Sequence, residues 1–163
     1  MKKKEKDTIP LAAIGRLIVP AKRLAVSYYC LTGKPLGITG EVGEYEVARR
    51  LRLRLTRARE PGVDAIDPES GHRYQIKARV IPRHKRTNSQ RIGRIRRDHP
   101  CDAVLLVLMN ELLEPTGIWQ AKWSSVMAAI ERPGSKSRNQ RGQLSVSKFK
   151  QISTPRWGSA VPK

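Results

Sequence analysis

Seven consecutive apolar residues, Ala103 to Met109 (AVLLVLM), stand between Asp102 and Asn110. A short, uninterrupted apolar run bounded by polar residues suits a strand covered on both faces, because a strand with one wet face would alternate. Such a strand belongs at the centre of a sheet with a layer on either side. Around it the segments read, in order, as helix, hairpin, basic helix, buried strand, strand and helix. That order specifies an α/β sandwich rather than a bundle or a barrel.

Met1 to Asp7 is a charged arm. Leu11 to Leu31 shows apolar residues at helical spacing interrupted by Pro20, which predicts two short helices, and Thr32-Gly33-Lys34-Pro35 ends them. Thr39 is then a cap for a stronger helix running to about Leu55. Its inward stripe is Val42, Tyr45, Ala48, Leu51 and Leu55, with Glu46 and the arginines on outward or flanking positions. Glu44 lies four residues before Ala48 and seven before Leu51, so its carboxylate points along the buried stripe, with Glu41 one turn earlier. Ser89 to Arg97, with Ile92 and Ile95 three apart, predicts a short basic helix; Gly117 to Gln120 predicts a strand and Trp123 to Ile130 a helix. Pro133 to Arg141 reads as a basic linker, and Gln143 to Ile152 as a last strand or a disordered segment. The expected organisation is a basic arm with N-terminal helices over 1–34, a core over 35–132 and a basic C-terminal extension over 133–163.

The chemistry concentrates in GVDAIDPESGHRYQIKAR, Gly62 to Arg79. Val63 to Ile66 is a short strand, Asp67 to Gly71 supplies turn residues, and Arg73 to Ile81 alternates with period two, so the segment predicts a hairpin. On the second strand Gln75, Lys77 and Arg79 share one face while Tyr74, Ile76, Ala78 and Val80 share the other. Asp64 stands on the adjoining strand. Residues alone leave two readings of this arrangement, a cross-strand Asp64–Lys77 ion pair or an oxygen-rich cation site.

Composition narrows the partner. Lys and Arg number 33 against 14 Asp and Glu, a formal charge of +19, which points to a polyanion. Arginine outnumbers lysine, and guanidinium forks match phosphate oxygens in pairs. Aromatic residues are only 5% of the chain, too few for a surface that stacks successive bases, so duplex backbone contact is the expectation. The candidate phosphate contacts are Arg79, Arg83, Lys85, Arg86, Arg91, Arg94, Arg96 and Arg97, in a stretch without an acidic residue. Cys30 and Cys101 have no second ligand at zinc spacing, which fits a reducing cytoplasm, and the N-terminal apolar run, interrupted by Arg16, reads as neither signal peptide nor membrane span.

The Pro61-Gly62-Val63-Asp64 segment, the Gln75-Ile76-Lys77 triplet and the Glu44 helix resemble the PD-(D/E)xK nuclease superfamily, in the Mrr-like variant with glutamine as second ligand. Through LTGKPLGITGEVGEYEVARRL, GHRYQIKARV, DAVLLVLM and SKSRNQRGQLSVSKFKQI the chain is also similar to an uncharacterised bacterial group of that superfamily, over about Tyr28 to Trp157. The resemblance implies a restriction-endonuclease-like three-layer α/β core, with a central mixed sheet flanked by helices, plus an N-terminal helical extension. It implies Mg²⁺, or Mn²⁺, held by Asp64, Gln75, the carbonyl of Ile76 and Glu44, with Lys77 orienting or polarising the attacking water. The activity implied is endonucleolytic hydrolysis of DNA in restriction, repair or mobile-element processes, with a homodimer as a possible form. Glutamine removes one negative charge from the usual ligand set, and Glu41 and Asp67 are the candidate compensating carboxylates. Two other readings stand beside this one: a catalytically silent nuclease fold kept as a DNA-binding module, and a basic RNA- or ribosome-associated protein.

Overall fold

A computed structural model describes residues 9–57, 61–82 and 90–158. Its centre is AVLLVLM, strand β4 (Ala103–Met109), buried at every position. Val104, Leu106 and Leu108 pack into one core cluster while Ala103, Leu105, Val107 and Met109 pack into the other, so both faces of the sheet are covered. The sheet has six strands in sequence order: β1 (Arg54–Leu55), β2 (Ala65–Ile66), β3 (Arg73–Val80), β4, β5 (Pro115–Lys122) and β6 (Thr154–Gly158). Only β3 and β4 run parallel, which makes the sheet mixed.

Helices α1 (Leu11–Thr32) and α2 (Thr39–Leu51) cover the first face. Helix α1 is continuous, where Pro20 predicts a break. Pro20 and Arg16, the residue whose carbonyl loses its donor, are both exposed, so water satisfies that carbonyl while the opposite side of the helix stays packed. Helix α2 starts at Thr39 with no side-chain cap, so Thr39 is its first residue rather than its cap. It stops at Leu51 because Arg52 turns left-handed at φ 56°, which frees Leu55 for β1. Gly43 lets α2 lie close on the sheet: a Cβ there would sit 2.3 Å from Ala78 Cβ and 3.1 Å from Val107 Cγ1.

Glu46 corrects the expected outward position. It is 5% exposed, and Lys22 of α1 (3.6 Å), Arg49 (3.1 Å) and Arg50 surround its carboxylate. A buried carboxylate on a solvent-side helical position is held there by cations that arrive from α1 and from the next helical turn. Arg50 in turn lies over the Trp157 ring of β6 at 4.3 Å. Lys22 also donates to Glu114 at 2.6 Å, joining α1 to the turn before β5.

The second face is covered by α3 (Trp123–Glu131), α5 (Val146–Gln151) and the β3-to-β4 crossover. Parallel neighbours require such a crossover. Within it residues 90–97 are extended, not helical. Ile92 and Ile95 are both 1% exposed, and the backbone bonds Ile92 N to Leu144 O (2.9 Å), Ile95 N to Gly142 O (3.0 Å) and Val146 N to Gln90 O (2.8 Å) pin the segment beside 142–146. A spacing of three therefore marks two anchors of an extended chain here, because the tertiary partner is another extended segment. The stretch after Pro133 is built as well: α4 (Lys136–Asn139) is tied back by Asn139 Nδ2 donating to Ile130 O and Arg132 O, both at 2.7 Å. Gln143 to Ile152 contains helix α5, capped by Ser145 accepting from Lys148 N–H, and its Phe149 is fully buried. Among the described residues no helix is long and apolar enough to cross a membrane.

The Gly43 contact generates a test in which propensity and packing have opposite signs. In a helix, Gly→Ala ordinarily stabilises by about 0.4–1 kcal/mol. Gly43→Ala should instead destabilise by about 1–3 kcal/mol in urea unfolding, because the methyl overpacks α2 against β3. Gly40→Ala, with nothing within 4 Å of the added methyl, should be neutral or stabilising.

Candidate functional site

The hairpin forms as its turn residues dictate. Asp67 Oδ1 accepts from the Glu69 N–H at 2.9 Å, Gly71 is left-handed at φ 75°, and β2 pairs with β3 through Ala65↔Tyr74 and Ile66↔Arg73. Pairing then stops. Asp64 N–H still donates to Tyr74 O at 2.8 Å, but beyond it the chain leaves, and the Asp64 side chain takes over: its Oδ2 accepts the Ile76 N–H at 2.7 Å. From Ile76 onward no strand among the described residues pairs with that side of β3.

In a strand the N–H and C=O of one residue point to the same side and successive residues alternate. Because the Ile76 N–H meets Asp64, the Ile76 carbonyl also points to this open edge. The Gln75 N–H points the other way, to the Cys101 thiol. The faces alternate as expected: Tyr74 and Ile76 enter the core cluster beneath α2, and Ala78 and Val80 pack against that cluster. On the other face Lys77 lies beside the crossover, its Cδ 3.7 Å from where a Gly93 Cβ would be.

Three charged groups, Glu44, Asp64 and Lys77, lie within electrostatic reach of one another here, and Gln75 precedes Ile76 on the same strand. Gln75 is 5% exposed and its Oε1 has no hydrogen-bond partner, an uncompensated buried oxygen. Glu44 reaches the edge from α2. Burial raises its carboxyl to about 7, with the charges of Asp64 and Glu41 adding to the rise and Lys77 opposing it. Burial also lowers the Lys77 ammonium, against the pull of Asp64, Glu44 and Cys101. Asp64 and Lys77 thus feel one another, yet among the described residues they form no direct ion pair, which removes the cross-strand pair as an account of the two side chains.

The donors available are a carboxylate with one oxygen bonded to Ile76, a second carboxyl crowded by negative charge, a main-chain carbonyl and an orphaned amide oxygen. These hard oxygens are of the kind that holds Mg²⁺ or Mn²⁺. Among the described residues no three His, Cys, Asp or Glu side chains are grouped to hold a metal, so a cation here depends on the Gln75 amide and the Ile76 carbonyl. Of the compensating carboxylates, Glu41 is within electrostatic reach of Glu44. Asp67 is not part of the site. Its oxygens are engaged by the Glu69 and Ser70 donors of the turn, which lower its pKa.

The arginine run divides. Arg83, Lys85 and Arg86 lie outside the described residues. Arg91 donates to Gln143 O at 3.3 Å and Arg97 to Asn139 O at 3.0 Å, so these two fasten the crossover to the C-terminal segment. Arg94 and Arg96 are exposed on either side of Ile95, with Arg96 near Asp98 at 3.6 Å. Arg79 is exposed on β3 and donates to Gln90 at 3.3 Å. A cleft of about 450 Å³ lies further along, lined by Tyr29, Ile38, Thr39, Val80, Arg79 and Glu111 among others, but by none of Glu41, Glu44 and Asp64. The site is therefore separate from that cleft and lies along the strand edge that Asp64 ends. Sequence reasoning missed Gly43 and Gly93, small residues beside the site whose role appears only once α2 and the crossover are placed.

Glu44 gives a pH signature. Its folded-state pKa of about 7 exceeds the ordinary 4.5, so the folded chain holds this proton more tightly than the unfolded chain. Stability from this group is full below about 4.5, declines as pH rises toward 7, and is lost above it. Melting temperature in chelator should fall across that window, and Glu44→Gln should flatten the fall. An unchanged slope in the variant would reject the assignment.

Compared with known proteins, the chain matches no family model and no curated sequence.

Proposed function

We propose that the protein is a Mg²⁺- or Mn²⁺-dependent DNA endonuclease of the restriction-endonuclease-like fold, with Asp64, Gln75, the Ile76 carbonyl and Glu44 as the cation ligands and Lys77 as the catalytic cation. The observation that carries this reading is the buried, unpartnered Gln75 Oε1 beside Ile76, whose N–H is held by Asp64 and whose carbonyl faces the same edge. A buried oxygen without a donor is costly unless something electropositive meets it. The charge of +19 supports a nucleic-acid substrate.

The chain's own residues have separable tasks. Asp64 fixes β3 where the hairpin opens and presents its remaining oxygen to that edge. Lys77, half-buried and short of solvation, is placed to donate to the attacking water or to a phosphate oxygen as charge develops. Glu44, whose carboxyl burial raises to about 7 in the cation-free chain, would give up that proton on joining the ligand set, so its proton couples cation binding to pH. A bound divalent ion supplies charge stabilisation at the scissile phosphate and acidifies a water. Arg79, Arg94 and Arg96, which are exposed, would hold the phosphate backbone.

The direct test is incubation with supercoiled, linear and branched DNA in Mg²⁺ or Mn²⁺. Lys77→Ala and Asp64→Ala should each reduce cleavage by about 10²-fold or more while duplex binding persists. Cleavage that survives both substitutions would remove the site, and salt-sensitive binding without cleavage by any form would leave the silent DNA-binding module.

The division of the arginines gives a second test. Arg94→Ala should reduce the dependence of log K on log salt by about one unit, as expected for a lost phosphate contact. Arg91→Ala should lower melting temperature and leave the salt slope nearly unchanged, since its guanidinium is committed to Gln143 O.

A further inference from the structure

Helix α1 carries two apolar stripes, and only one is buried. The inward stripe, including Leu11, Ile14, Ile18 and Ala25, belongs to the core beneath the sheet. The second is Leu17, Ala21, Leu24, Tyr28 and Leu31, with spacings that alternate four and three residues. Its leucines are 74%, 64% and 86% exposed, and Tyr28 is 38% exposed. At 3.6 residues per turn this stripe lies roughly 90° around the helix from the inward one, so its leucines stand outside that core.

We propose that this stripe is the seam of a two-fold dimer, in which α1 packs along α1 of a second copy of the chain. Alternating spacings of four and three, with leucine every seventh residue, keep one stripe facing a partner helix along its whole length. A repeat of that kind is complementary to itself, which is what a two-fold interface requires of a single patch. Charge agrees. In a chain whose residues are 29% charged, none falls on the seam or on Ala13, Pro20 and Ser27 beside it, so two strongly basic molecules meet here without opposing charges. Area agrees too: covering these side chains on both copies removes on the order of 1,000 Å² from water, the lower bound of a specific interface. As a patch left on a monomer, three leucines exposed in one row constitute a site for association.

The seam is independent of the cation site, so its test does not depend on cleavage. Sedimentation equilibrium of the full chain at tens of micromolar, in about 0.5 M salt to release nucleic acid, should give twice the 18.4 kDa monomer mass. Leu17→Glu combined with Leu24→Glu should give the monomer, with the helical circular dichroism retained. Val19→Glu, exposed but off both stripes, should leave the dimer intact. Should the glutamate variant not fold, Leu24→Ala with Leu31→Ala preserves helix propensity and should raise the dimer dissociation constant about tenfold or more. A wild-type monomer over this range, a dimer indifferent to Leu24, or a monomer that binds neutral lipid vesicles through the same leucines would overturn the proposal.

Discussion

The bond from the Ile76 N–H to Asp64 Oδ2 is the constraint on which the rest of the site depends. An open strand edge presents unpaired donors and acceptors, and proteins ordinarily cover or blunt it. Here one carboxylate oxygen stands where the next strand's carbonyl would be, so β2 can leave β3 after a two-residue pairing without stranding that amide. A longer β2 would have satisfied the same amide and closed the edge. The neighbouring carbonyl remains turned toward the gap, and Lys77 follows one residue later. A single side-chain bond thus ends the ladder and opens the edge in the same place.

What reaches that edge from the other side is decided by α2. Gly43 brings the helix within contact of Ala78 and Val107, and the residue next to it is Glu44. Two residues further, Glu46 is buried among Lys22, Arg49 and Arg50. The two glutamates are chemically identical and differ in company. Glu46 has cations in contact, and through Arg50 and Trp157 it joins α1, α2 and the last strand into one framework. Glu44 has other carboxylates for neighbours, with only Lys77 to offset them, and its proton is held to about neutral pH. Burial is the larger cause of the Glu44 shift, and the neighbouring carboxylates add to it, whereas cations hold Glu46.

That distinction explains what the sequence could and could not disclose. AVLLVLM announced a strand buried on both faces, and Asp67 to Gly71 announced the hairpin, because each signal is local and packing adds to it. Alternation placed Gln75 and Lys77 on one face for the same reason. Glu46 was assigned outward because a helical wheel records angle alone, while Lys22 arrives from a helix distant in sequence. Ile92 and Ile95 suggested a helix, since a spacing of three says nothing of the 142–146 segment that pairs with residues 90–97. Pro20 suggested a break because propensity ignores the packed inner face that keeps α1 whole. Phe149, the largest fully buried side chain, sits in a region that reads as basic and weakly patterned, where one aromatic among polar neighbours gives no periodicity.

Glutamine at position 75 becomes intelligible from the same electrostatics. Burial first, and then the charges of Asp64 and Glu41, already raise Glu44 to about 7. A fourth acid at a position only 5% exposed would add a carboxylate with no donor of its own, and desolvation would force it either to take up a proton or to destabilise the sheet. The amide keeps a polar oxygen at this buried position without adding another charge to the cluster. Glutamine is the polar side chain that a crowded, half-buried group of acids can accommodate.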